Sequence, residues 1–321
     1  MATYLKLTNK TNHFLKTLPE FDPSQLNMEA IRARPDVELS KSIPRPEVDI
    51  EQMSVISTQG MVSVHIYRPA GSHDHVLPAV VYMHGGGWAT EPKGSYSYVC
   101  AKLAGQAECA VIFVHYSLAP EARFPTAIEE CYAVLNWATN PSNAGFLKID
   151  PACVAVAGDS AGANLAIAVS LLAKQRNLEN AIKYQVLFYP VTDVTFNTSS
   201  YYEFGTDFAL TKKHMEFFWD QYAPNQADRD NILACPMKAS KEELSGLPPA
   251  LIVSAEADVL RDDAENFARK LMDANVPVTT TRILGVLHGF IGNSQLFCDE
   301  TLFALDLAIS GLRRTFAANK Q

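Results

Sequence analysis

From residue 77 onward the chain repeats one pattern: a short, continuous apolar run followed by a helix-length segment. The runs are Leu77–His84, Ala110–His115, Ala152–Ala157, Tyr184–Pro190 and Ala250–Ala255, and Val278–Ile283 is a further strand candidate. Helical spacing marks Gly94–Ala107, Phe124–Thr139, Ala161–Gln175, Asp262–Ala274 and Thr301–Ala317. A strand that is apolar at every position has no face left for water. Parallel strands joined by helical crossovers satisfy that demand, because the helices cover both faces of the sheet. The pattern therefore predicts an α/β fold. Met53–Thr58 and Met61–Pro69 alternate instead, around Gln59-Gly60, which predicts an antiparallel hairpin at the start. Together these make a mostly parallel sheet of eight strands.

Two regions fall outside the alternation. Tyr4–Leu18 and Pro23–Arg34 carry helical apolar spacing, and a polar stretch with Pro35, Pro44 and Pro46 links them to the sheet. Between about Val191 and Leu247 lies a long excursion rich in aromatic residues, with Thr211–Tyr222 reading as a helix capped by Thr211.

Composition excludes several classes. With 48% hydrophobic and 19% charged residues over 321 positions, the chain can bury a large core, which rules out wholesale disorder. A formal charge of −8 argues against sequence-independent nucleic-acid binding, which needs a basic face. No apolar run approaches the length of a membrane span, and the N-terminus lacks the apolar core of a signal peptide. The six cysteines show neither CxxC pairs nor a histidine at zinc spacing. They read as buried thiols of a cytoplasmic protein.

The chemistry concentrates in four places. Gly158-Asp159-Ser160-Ala161-Gly162 joins a strand to a helix. A serine nucleophile must project from such a sharp turn, and small residues two before and two after let strand and helix meet. His84-Gly85-Gly86-Gly87-Trp88 ends another core strand. Three glycines there have a use if their N–H groups hold a developing oxyanion. Asp258 lies just beyond the strand Ala250–Ala255, where open α/β sheets place functional groups. Its rivals Asp262 and Asp263 begin a helix, where capping explains them. His288, followed by a glycine, comes after the last strand. The order Ser, Asp, His is that of a catalytic triad on this kind of sheet. His84 reads as an anchor of the glycine loop, and His13 and His214 as members of cap helices.

These motifs resemble the hormone-sensitive lipase family of α/β-hydrolases in its microbial carboxylesterase form. The likeness rests on HGGGW at 84–88, GDSAG at 158–162, EADVLRD at 256–262 and HGF at 288–290. Tyr116–Glu121 with Phe124-Pro125 resembles a further family segment, although Ser117 stands where arginine is usual and Val259 where proline is frequent. The resemblance implies an α/β-hydrolase fold. Residues 1–50 and an insertion at about 192–245 would form a helical cap on a catalytic domain spanning 51–321. It implies catalysis by Ser160, Asp258 and His288, with Gly86, Gly87 and Ala161 as oxyanion donors and Gly85 as the alternative. Trp88, Asp159 and Phe208 would border the substrate pocket, and Tyr116 and Glu121 would support the site. Neither metal nor organic cofactor is required, and a homodimer through the C-terminal strand edge is the family arrangement. The expected activity is hydrolysis of small-molecule esters of short to medium acyl chain. An amidase, lactonase or deacetylase would use the same triad. A ligand receptor without catalysis, or an interaction protein with the cap as its surface, is the contrasting class, and His288 in its motif counts against both.

Overall fold

Consecutive side chains of a strand point to opposite faces, and in the strand Leu77–Met83 every residue from Pro78 onward is buried. Both faces of the sheet are therefore covered at its centre. The computed structural model describes residues 5–34, 37–40 and 43–319, which leaves Tyr4 and Pro35 outside the described residues. Its strands are β1 (Val48–Ser57), β2 (Gly60–Pro69), β3 (Leu77–Met83), β4 (Ala110–His115), β5 (Ile149–Asp159), β6 (Ile182–Phe188), β7 (Ala250–Ala257) and β8 (Val278–Leu287). They form one eight-stranded sheet in the order β1-β2-β4-β3-β5-β6-β7-β8. β2 runs antiparallel to both β1 and β4, and the remaining neighbours are parallel. The first hairpin turns at Thr58-Gln59, one residue earlier than expected, with Ser57 paired to Gly60. Gly60 takes φ +130°, a conformation open to glycine.

The helices are α1 (Asn9–Thr17), α2 (Met28–Arg32), α3 (Ser95–Ala107), α4 (Thr126–Thr139), α5 (Pro141–Leu147) and α6 (Ala161–Gln175). Then follow α7 (Ser199–Phe204), α8 (Lys212–Tyr222), α9 (Gln226–Arg229), α10 (Lys241–Leu244), α11 (Arg261–Asp273) and α12 (Asp299–Ala318). α3 packs on α12, α4 packs on α6, and α11 lies against β7 and β8. α6 is buried from Ala161 to Ala173, because it sits between sheet strands and α4, and its sequence is apolar all round.

The N-terminal region is less helical than its spacing suggests. α1 begins only at Asn9, where Thr8 caps it and the Thr8 N–H reaches Gly285 O of β8 at 3.0 Å. Pro23–Gln25 is a single 3₁₀ turn, and α2 is short. The cause is local side-chain competition for the backbone. Asp22 Oδ1 accepts from Ser24 N–H and Asn27 Oδ1 from Ala30 N–H, each at 2.9 Å, so the chain stops and restarts. No helix among the described residues is long and apolar enough to cross a membrane.

Candidate active site

The four motifs sit at the carboxyl ends of β3, β5, β7 and β8, on one edge of the sheet. Ser160 is the residue between β5 and α6, and it adopts φ +54°, ψ −121°. A non-glycine residue at positive φ is strained, and the neighbours enforce it. A Cβ on Gly158 would lie 2.7 Å from Met83 O, and one on Gly162 would lie 2.5 Å from His84 O. The Ser160 N–H is held by Phe188 O of β6 at 2.9 Å. The serine side chain is thereby raised above the strand end.

His288 lies between two partners. Its Nε2 is 2.9 Å from Ser160 Oγ and its Nδ1 is 2.8 Å from Asp258 Oδ2. Asp258 is 1% exposed, and its other oxygen accepts the Leu260 N–H at 2.9 Å. The two rival carboxylates sit in other surroundings. Asp262 pairs with Arg261 at 2.8 Å and accepts from Ser200 N–H at 2.8 Å. Asp263 is buried, and burial pushes its carboxyl well above the usual range.

The glycine loop is fastened to the serine turn by Asp159. Its carboxylate accepts from Tyr82 Oη at 3.1 Å, Tyr96 Oη at 2.9 Å and the Gly85 N–H at 3.0 Å. Burial raises this carboxyl to about 6, against those hydrogen bonds. The Gly85 N–H also lies 3.0 Å from Tyr96 Oη. It is therefore occupied within the fold, which removes Gly85 as the alternative donor for an oxyanion. Gly86 and Gly87 sit at φ +116° and +61°. Ala161, the first residue of α6, carries one of the N–H groups that a helix start leaves without an intrahelical acceptor.

His84 does anchor the loop. Its Nδ1–H donates to Gly85 O at 2.7 Å, its ring stacks on Tyr116 at 4.3 Å, and Tyr116 Oη donates to His84 O at 2.7 Å. Burial lowers its pKa to about 3, so the ring is neutral. Glu121 meets Arg32 in a bidentate pair at 2.7 Å, and Arg32 also donates to Ala89 O and Ala119 O. At the departure noted above, Ser117 offers both its N–H and its hydroxyl to Glu130, at 2.6 and 2.7 Å.

A cavity of about 930 Å³ opens over Ser160 and His288. Phe208 borders it half-buried. Trp88 and Asp159 border it too, but their side chains belong to the packing behind it. Trp88 is 1% exposed, with its ring stacked on Tyr222 at 4.3 Å. Sequence reasoning missed several wall residues: Phe14 and Leu18 of the first segment, Arg34, and His214 of α8, which lies beside Phe218 of the aromatic excursion. A spacing of four along α8 was the one available sign that His214 and Phe218 share a face.

Comparison with known proteins agrees with this arrangement. Residues 80–292 match a family described as the alpha/beta hydrolase fold. An ethyl acetate hydrolase of Pseudomonas putida is 36% identical over 299 residues, covering 91% of each chain. A carboxylesterase of Mycobacterium tuberculosis is 33% identical over 309 residues, covering 95% of this chain and 94% of its own. Among solved structures, a fungal esterase from Rhizomucor miehei superposes with a TM-score of 0.90 at 39% identity, covering 97% of both chains. A serine raised between strand and helix, a histidine against it and this breadth of likeness together place the chain in the alpha/beta hydrolase family, on its hormone-sensitive-lipase-like carboxylesterase side.

Proposed function

We propose that the protein is a serine carboxylesterase that hydrolyses small esters of short to medium acyl chain. The observation that carries this reading is the relay from Asp258 through His288 to Ser160, with contacts of 2.8 and 2.9 Å, at the foot of the cavity. Ser160 Oγ attacks the ester carbonyl while His288 Nε2 takes its proton. Asp258 holds Nδ1–H and so keeps Nε2 free as the base. The N–H groups of Gly86, Gly87 and Ala161 receive the oxyanion, each worth about 3 kcal/mol in the transition state. His288 then returns the proton to the leaving alcohol, and water, activated by the same imidazole, releases the acid.

The relatives named for ethyl acetate hydrolysis and for carboxylesterase activity favour esters over amides. Residues 1–50 and 192–245 act as the cap that walls the pocket in this reading. Five of the six cysteines are buried, which suits a cytoplasmic enzyme. The edge strand β8, with Leu284 63% exposed, offers an edge for a homodimer.

The test is hydrolysis of p-nitrophenyl esters from acetate to palmitate, with Ser160→Ala beside the wild type. We expect turnover to peak at short chains and to fall by about 10⁴-fold or more in the variant. Activity confined to emulsified long-chain triglyceride would sink the short-chain assignment. An equally active Ser160→Ala would sink the mechanism.

A further inference from the structure

His288 follows a break in the register between β7 and β8. Ala255 pairs with Ile283 and Ala257 with Leu287, so β8 advances four residues where β7 advances two. The extra residues bulge away from the ladder. Leu284 is 63% exposed, and Gly285 takes φ +73°. A bulge interrupts the main-chain hydrogen bonds that otherwise fix one strand against the next. The interruption falls three residues before the imidazole, where the strand that delivers His288 most needs to be held.

A side chain takes over from the ladder. Glu256 lies between the two paired residues of β7, and its Oε2 accepts the Gly285 N–H at 2.7 Å. Asp258, two residues further on, accepts from His288 Nδ1–H at 2.8 Å. The end of β7 therefore grips β8 twice, once on the main chain and once on the imidazole.

The carbonyl of the same glycine is held from the other direction. The Thr8 N–H donates to Gly285 O at 3.0 Å, and a Cβ on Gly285 would lie 2.9 Å from Lys6 O. Only a glycine fits there at this φ. Thr8 caps α1, whose Phe14 lines the cavity. Gly285 is thus fixed by the sheet on its N–H and by the first segment on its C=O. Glu256 reaches His288 only through the main chain between them. A shift of that chain changes how Nε2 meets Ser160 Oγ, now 2.9 Å away, and proton transfer depends on such alignment.

We propose that Glu256 is a positioning residue: by holding the Gly285 bulge it sets His288 Nε2 where the imidazole can return its proton to the leaving alcohol. This rests on the triad reading above. Leaving groups differ in their need for that proton. Ethoxide is a strong base and departs only as it is protonated, whereas p-nitrophenolate departs unaided. A misplaced imidazole therefore slows acylation by ethyl acetate more than acylation by p-nitrophenyl acetate. A smaller folded fraction lowers both rates alike and leaves their ratio unmoved.

The experiment measures kcat/KM for ethyl acetate and for p-nitrophenyl acetate, which give the same acyl-enzyme, in the wild type, in Glu256→Asp and in Glu256→Gln. The aspartate keeps the charge but falls one methylene short of Gly285. The glutamine keeps the reach and an accepting oxygen but has no charge. We expect the ethyl-to-nitrophenyl ratio to fall at least about fivefold in Glu256→Asp and by less in Glu256→Gln. A smaller fall in Glu256→Asp overturns the proposal, because Asp258 then aligns the imidazole without help. A fall in Glu256→Gln as large as in Glu256→Asp also overturns it, because the side chain then acts through its charge and not through the bulge. Hydrolysis of neither ester by the wild type would instead overturn the esterase reading.

Discussion

Ser160 occupies a backbone conformation that an L-residue avoids, and the two glycines around it are what make the conformation reachable. A methyl group at Gly162 would meet Met83 O and His84 O, which are main-chain atoms of a central strand end and cannot swing aside. Gly162→Ala should therefore abolish the serine turn: we expect at least a 100-fold loss of esterase activity, or loss of soluble protein, measured by p-nitrophenyl acetate turnover and recovery on purification. This steric demand is why the serine was legible in the sequence. Close main-chain contact permits only small residues, and small residues at fixed spacing leave a readable mark. Asp258 was legible for a different reason, since a carboxylate one step past a strand end has no helix cap to explain it. The pair of Arg34 and His214 left no such mark. They are 180 residues apart, and their meeting depends on the path of an N-terminal segment whose apolar spacing does not reveal that path.

At the level of elements, the strands and main helices were readable because burial on two faces demands long apolar runs. The ends were less so. The first half of β8 is largely exposed, and the expected strand Val278–Ile283 stops short of most of its buried second half, while α5 has only Asn140-Pro141 at its start as a sign. The N-terminal segment was overread as helix because its apolar spacing serves packing onto the cavity instead. What fastens that segment is one side chain. Arg32 donates to Ala89 O, Ala119 O and Glu121, so α2 is tied to the glycine-loop region and to the loop after β4. Arg32→Ala should release it. Losing these charge-assisted bonds at about 1.5 kcal/mol or more, the segment should be cleaved at least about tenfold faster in limited proteolysis, with a raised KM and the thermal transition little changed. Unaltered proteolysis would mean that α1 and its contacts with β8 hold the segment alone.

Across the whole molecule, buried titratable groups set how stability follows pH. His84 and His214 are held near 3 and 4 by burial, well below the ~6.5 of an unfolded histidine. Their contribution is complete above about pH 6.5 and is lost as the pH falls toward those values, because only the unfolded chain takes up the protons. Asp159 acts in the opposite sense. Raised to about 6 from an unfolded value near 3.9, it favours the fold most below that value and loses this contribution as the pH rises through about 6. The two histidines together outweigh it. The melting temperature should fall by several degrees between about pH 7 and pH 4.5, and the fall should be steeper in Asp159→Asn, where the opposing group is gone. Differential scanning fluorimetry over that range checks both; a slope unchanged in the variant would mean that Asp159 stays ionised in the fold.

The reacting groups hang from the ends of β3, β5, β7 and β8, whereas much of the cavity wall comes from the first segment and from the residues around α8. Descent can therefore act on the two separately. A lineage can exchange wall residues, and with them its diet of esters, without disturbing the atoms that break the bond. Appetite can change here while the reaction is inherited intact.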